Sequence, residues 1–295
     1  MPDQAVAQPY PSPKPTRQER LAGVDGCTLF YQTWEPAANA RALVIICPGI
    51  DDHCDRYPHL VRALLAEGYA VLAYDHRGNG RSEGARMHVD SFDQYVRDLD
   101  LVRERALGLW RGIPWFLFAH SMGTTVALTY LAEGLSPPRG LIASGTALAA
   151  GTGFPPVMLA LNRSLARIAP RLRLVGLPRE GISRDADWSA WGDIDPLVAR
   201  QRATARLGNE LLAALERLRA QLDRISVPLL ILHGTADQLT DPQGARLLHD
   251  QASSPDKSLR LYQDAYHEVV NDLPETREAV LCDILAWLGE RVTLR

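Results

Sequence analysis

The chain has 295 residues, 46% of them hydrophobic and 23% charged, with a formal net charge of −3 at pH 7. These are the proportions of an ordinary soluble globular protein, and the length holds one large α/β domain with an insertion or two small domains. A pI of about 6.2 leaves no electrostatic footprint for nucleic acid, and Cys27, Cys47, Cys54 and Cys282 have neither metal-site nor disulfide-framework spacing.

The first twenty residues contain five prolines and almost no large apolar side chains. They lack the apolar run of a signal peptide and read as an extended tail. With no secretory signal, the cysteines are expected as free thiols, Cys47 and Cys54 included, in a cytoplasmic protein. Beyond the tail, apolar runs alternate with helical patterns. Leu29–Trp34 reads as a strand, Ala42–Ile46 as a short buried strand, Tyr57–Glu67 as a helix and Ala70–Tyr74 as another buried strand. A long helix is expected over Ser91–Trp110, with Ser91 as N-cap and Phe92, Tyr95, Val96, Leu99 and Val102 on one stripe. A strand at Trp115–Phe118, a helix from Met122 to Glu133 and a strand at Leu141–Ser144 follow.

The rhythm then breaks. Residues 145–225 contain no clear strand, and their one strong helical pattern runs from about Asn209 to Leu222. Strand, helix, strand and closing helix return at Pro228–Leu232, Gln243–Gln251, Ser258–Tyr262 and Thr276–Glu290. Such alternation predicts an α/β fold, a mostly parallel sheet with helices on both faces. The expected division is a tail over 1–20, a core over 21–144 and 226–295, and an inserted helical cap over 145–225. The uncharged stretch Gly140–Asn162 is the only approach to a membrane span, and Pro155-Pro156 and several glycines spoil it.

Phe118-Ala119-His120-Ser121-Met122-Gly123 joins a strand directly to a helix. That layout holds a serine hydroxyl proud of the sheet, with small residues needed two positions to either side; here they are Ala119 and Gly123. A serine nucleophile needs a carboxylate and a histidine on later strand ends. The strand ending at Leu232 is followed by His233-Gly234-Thr235-Ala236-Asp237, and the strand ending at Tyr262 by Gln263-Asp264-Ala265-Tyr266-His267. Ser121, Asp237 and His267 are therefore the expected triad. Asp241 and Asp264 are rival acids, but Asp241 opens an Asp-Pro turn that reads as a helix cap. His120 is expected to pack and His233 to brace the acid loop. Met122, at a helix N-terminus, and Ile50, in the loop after the strand Ala42–Ile46, are the expected backbone donors of an oxyanion hole.

At these residues the chain resembles the monoacylglycerol lipase and lysophospholipase branch of the α/β-hydrolases. Pro48-Gly49-Ile50-Asp51-Asp52-His53-Cys54-Asp55-Arg56-Tyr57 is similar to that family's His-Gly-x-Gly-Glu-His-x-x-Arg-Tyr, and Asp75-His76-Arg77-Gly78-Asn79-Gly80-Arg81-Ser82 to its Asp-x-x-Gly-x-Gly-x-Ser. The resemblance covers nearly everything from Leu21 onward, least in the cap. It implies a hydrolase of carboxylic esters that needs no cofactor or metal, with a small-molecule acyl ester as substrate and a mobile cap over an apolar tunnel. Pro48, Asp51, Ala119 and Thr124 depart from its usual residues.

In the cap, Phe154, Val157, Met158 and Leu159 are the expected acyl-chain contacts, with Gly49 on the core side. Arg163, Arg167 and Arg171 follow beside Leu165, Ile168 and Leu172; a helix with one buried face is expected, and transient contact with a lipid surface is the alternative. Dehalogenase and epoxide hydrolase chemistry is set aside because those enzymes carry an aspartate at the elbow. Thioesterase and other acyl-hydrolase activities share the triad, and a non-catalytic binding module of the same fold is the alternative from another class.

Overall fold

The computed structural model describes residues 8–148, 163–176, 180–199 and 201–293; Phe154, Val157, Met158 and Leu159 lie outside them. Ten strands are described: β1 (Arg17–Ala22), β2 (Thr28–Trp34), β3 (Leu43–Cys47), β4 (Ala70–Tyr74), β5 (Trp115–His120), β6 (Leu141–Ser144), β7 (Arg173–Val175), β8 (Ala203–Thr204), β9 (Leu229–Gly234) and β10 (Lys257–Tyr262). Eight of them form one sheet in the order β1-β2-β4-β3-β5-β6-β9-β10. β1 and β2 are antiparallel to their neighbours, and the remaining pairings are parallel.

The helices are α1 (Pro58–Ala66), α2 (Asp93–Leu109), α3 (Met122–Ala132), α4 (Ala186–Ile194), α5 (Ala205–Arg219), α6 (Gln243–Gln251) and α7 (Pro274–Thr293), with a further helical turn at 163–168. Period-two alternation sorts the strand side chains between two cores. Leu43, Ile45, Leu117, Leu141 and Ile231 point to the face covered by α2, α3, α5 and α6. Val44, Ile46, Phe116, Phe118 and Ile142 point to the face covered by α1 and α7. The central strands are buried on both faces, which is why they read as unbroken apolar runs. All eleven residues of α3 are buried; it carries no polar face because it is packed on every side.

Three differences from the sequence reading have physical reasons. Residues 17–20 belong to β1, not to a free tail: β1 pairs with β2 from Arg17↔Thr33 to Ala22↔Thr28. Its Arg-Gln-Glu-Arg sequence suits an exposed edge strand and hides any apolar alternation. The tail before it is also held, by Gln8 Nε2 donating to Asp55 O (2.9 Å), Tyr10 Oη to Asp185 Oδ2 (2.9 Å) and Trp34 Nε1 to Pro13 O (2.8 Å). Between β6 and β9 lies a short two-stranded ribbon, β7–β8, too brief to leave a sequence pattern. α5 starts at Ala205, four residues before the pattern did, because Thr204 caps it by accepting from Leu207 N.

Candidate active site

β5 turns into α3 at Ser121, whose φ of 52° and ψ of −122° lie outside the regions a serine prefers. Such a conformation costs about 1–3 kcal/mol and persists only where its surroundings enforce it. Here Ser121 N donates to Ser144 O (2.9 Å), and Thr124 donates twice to Ser121 O, from its N (2.9 Å) and its Oγ1 (2.7 Å). Gly123 has no alternative, because a Cβ there would stand 2.4 Å from both Cys47 O and Pro48 O. Ala119 packs in the sheet core, fully buried. Thr124, where a second glycine is common in the resembled family, also accepts from Ala147 N (3.3 Å), so its hydroxyl ties the turn to the loop after β6.

Asp237 follows β9 and its side chain is fully buried. Oδ1 accepts from Leu239 N (2.8 Å) and Thr240 N (3.0 Å), and Oδ2 from Thr240 Oγ1 (2.8 Å) and His267 Nδ1 (2.7 Å). Burial alone would raise the pKa of this carboxyl, but hydrogen bonds from His233 and His267 outweigh it and hold the group ionised. His267 follows β10. Its backbone N donates to Gly181 O (3.3 Å) and that of Glu268 to Ile182 O (2.8 Å), so the loop is pinned to the segment leading into α4. The structure thus joins Asp237 and His267 directly. No hydrogen bond links Ser121 Oγ to His267; the imidazole is held at Nδ1, which leaves Nε2 for a reacting group.

His120 packs beneath His267 with ring centroids 4.8 Å apart. Burial first, and the neighbouring His267 second, push it down to about 3, so it stays neutral and is no base at neutral pH. Asp241 Oδ1 accepts from Gln243 N (2.8 Å) and caps α6, while Asp264 is exposed and its backbone N–H donates to Thr235 Oγ1. Cys47 lies under the turn, pushed up to about 12 by burial. All four cysteines are unpaired, and no three His, Cys, Asp or Glu side chains gather as a metal site among the described residues.

Across from Ser121 runs the loop after β3. Gly49 lies close enough that a Cβ would be 3.3 Å from Ser121 Cβ. Gly49 N donates to Asp52 Oδ2 (3.2 Å) and Asp51 N to Asn79 Oδ1 (3.2 Å), so the amides either side of Ile50 are engaged, one within the loop and one with the loop after β4. Asp51 has φ 55°, which explains why a glycine suits this position. Its carboxylate accepts from Ala199 N (2.6 Å). Pro48 O accepts from His76 Nε2 (3.1 Å).

Sequence reasoning left one charge cluster unassigned. Arg56 pairs with Asp52 (3.2 Å) and Glu268 (2.7 Å) and lies over the Trp188 and Trp191 rings, while Trp188 Nε1 donates to Glu268 Oε2 (2.7 Å). His53 Nε2 pairs with Asp195 (2.8 Å). Burial would raise the Glu268 carboxyl, but Arg56 holds it low. Thr240 was missed too. The signal for the first group was present in Asp52-His53-x-x-Arg56-Tyr57 and in the glutamate after His267; for Thr240 there was none.

A mostly parallel sheet with a strained serine turn at β5 and a buried aspartate–histidine pair at the ends of β9 and β10 defines a class, the serine hydrolases of the α/β-hydrolase fold. Residues 38–274 match the family described as serine aminopeptidase, S33. The chain is 33% identical to the human monoglyceride lipase over 99% of its length and 97% of that protein. It is 32% identical to the monoacylglycerol lipase of Mycolicibacterium smegmatis over 92% and 97%. A soluble variant of the Saccharomyces cerevisiae monoglyceride lipase, solved with a substrate analog, superposes with a TM-score of 0.86 at 25% identity, covering 98% of this chain and 100% of that one. The chain therefore belongs to the S33 family of α/β-hydrolases, in its monoacylglycerol lipase-like branch, and is a serine ester hydrolase.

Proposed function

We propose that the protein hydrolyses monoacylglycerols or closely related lipid esters through Ser121, His267 and Asp237. Ser121 Oγ attacks the acyl carbon while His267 Nε2 takes its proton. The carbonyl oxygen becomes an oxyanion that Ile50 N–H and Met122 N–H stabilise, the second at the positive end of α3. Collapse breaks the ester bond, and His267 returns the proton to the leaving alcohol. Water repeats the sequence on the acyl-enzyme and frees the fatty acid. Asp237 stays ionised, keeps His267 in the Nδ1–H tautomer and offsets the charge of the imidazolium. The observation that carries the reading is the 2.7 Å His267–Asp237 bond, buried beneath a serine held at positive φ.

The chain between β6 and β9 is the cap in this reading, covering the acyl chain, with Phe154, Val157, Met158 and Leu159 as its contacts and Gly49 opposite. Its helical turn at 163–168 supports contact with a lipid surface. Ile168 is 83% exposed and Leu172 44%, contrary to a helix that buries them, and Arg163, Arg167 and Arg171 are exposed beside them. Among the described residues no helix is long and apolar enough to cross a membrane.

A fluorophosphonate probe and a chain-length series of monoacylglycerols and p-nitrophenyl esters test the proposal. Wild type should label and Ser121→Ala should not, with turnover down by about three or more orders of magnitude. Rates should rise from acetate to medium or long acyl chains. Folded wild type that fails to label, or a steep preference for acetate, would overturn it.

A further inference from the structure

The ester-hydrolysis scheme leaves one imidazole beside the acid without a part. His233, four residues before Asp237 on the end of β9, is completely buried. Its Nε2 lies 3.1 Å from Asp237 Oδ2 and 3.1 Å from Thr240 O. A carboxylate and a carbonyl can only accept, so Nε2 must carry the proton. Asp237 Oδ2 accepts from His267 Nδ1–H at 2.7 Å and Thr240 Oγ1–H at 2.8 Å, and the His233 Nε2–H, bonded to Thr240 O, lies 3.1 Å from the same oxygen as a third, polar contact.

We propose that His233 is a positioning residue for the acid, its Nε2–H fixing the rotation of the Asp237 carboxylate and sharing its charge. This rests on the triad reading above. His267 then meets an acceptor that is aligned yet too well solvated by donors to take the proton. The nearness of His233 is among the influences that hold the Asp237 carboxyl low. A mere spacer at this position would hold the loop's shape without changing how strongly Asp237 attracts the His267 proton.

Removing the donor leaves a more basic carboxylate facing His267, and the imidazolium becomes easier to form. The other titratable groups beside His267 are the neutral His120 at the end of β5 and, on its own loop, Glu268, which is paired with Arg56 before α1; substitution of His233 changes none of them. The experiment is the pH dependence of kcat/KM on a p-nitrophenyl ester, normalised by fluorophosphonate titration of active sites. His233→Leu should raise the acidic limb by about half to one pH unit and lower kcat about tenfold. His233→Gln, whose amide N–H can reach Oδ2, should bring the limb back. A limb unmoved in His233→Leu, or moved equally in both variants, overturns the proposal. Should His233→Leu not fold, the 15N shifts of the wild-type imidazoles decide it: an Nε2–H tautomer at His233 supports the proposal and an Nδ1–H tautomer ends it. Wild type that does not titrate with the probe would remove the triad reading itself, an outcome distinct from an unmoved limb.

Discussion

Gly145 leaves β6 at φ +60°, and a Cβ there would stand 2.9 Å from His267 Cε1 and 3.3 Å from His120 Cε1. Gly145→Ala should therefore displace His267 while the sheet stays intact. The expected result is a fall in kcat of about ten- to a hundredfold, since small misplacements of reacting groups cost that much, with a loss of stability of about 1–2 kcal/mol from the left-handed backbone. Active-site titration combined with thermal unfolding separates the two effects, and unchanged kcat per titrated site would show that His267 accommodates the methyl. At this scale the sequence made Ser121, Asp237 and His267 legible because each follows an apolar strand by a few residues. Thr240 was not legible, because hydrogen bonds folded back within one loop leave no periodic trace, whereas His233 was expected to brace the acid loop and bonds Thr240 O. The departures at Asp51 and Thr124 were visible as oddities, and only their partners, Ala199 N and Ala147 N, explain them.

Among the elements, the central strands were legible to within a residue or two, since burial on both faces makes them uniformly apolar. β1 escaped for the opposite reason, Arg17, Gln18 and Arg20 being exposed, and the β7–β8 ribbon because two or three residues carry no pattern. The helical turn at 163–168 shows a different limit: spacing gives a face but not which face is wet. Leu165 is half-buried and Ala166 buried, while Ile168 stands out in solvent. If this turn meets lipid, the protein should co-sediment with vesicles containing an anionic phospholipid, and less as salt rises. The double substitution Ile168→Asp, Leu172→Asp should abolish co-sedimentation and lower the rate on emulsified long-chain monoacylglycerol, leaving hydrolysis of a soluble short ester unchanged. Equal binding of variant and wild type would exclude this surface.

For the whole molecule, the groups that shape the site are also groups that acid would disrupt. His76 is fully buried between Tyr74 and Tyr95 and donates to Pro48 O, behind the loop that faces Ser121. Burial pushes it down to about 4, and His120 is pushed to about 3. In the unfolded chain each histidine takes up its proton near pH 6.5. Between that value and its folded value the unfolded state binds a proton that the folded state refuses, so stability falls as pH drops through the window and is flat above it. The slope is about 1.4 kcal/mol per pH unit for each such histidine. Asp237 and Glu268, held low by their partners, lose stability in the same direction, but only once the pH falls into the carboxylate range. Asp52 and Asp98, raised by burial, oppose the trend. The decline that begins just below pH 6.5 is carried by His76 and His120, and by His59, which burial also pushes down to about 4. Urea unfolding should give constant stability from pH 8 to 7 and a decline below 6.5. His76→Gln keeps a donor for Pro48 O but cannot titrate, so it should flatten the decline by about one proton's worth while its stability at pH 8 changes little. Parallel curves for variant and wild type would mean that His76 is protonated in the folded protein, and that its bond to the Pro48 carbonyl survives acid.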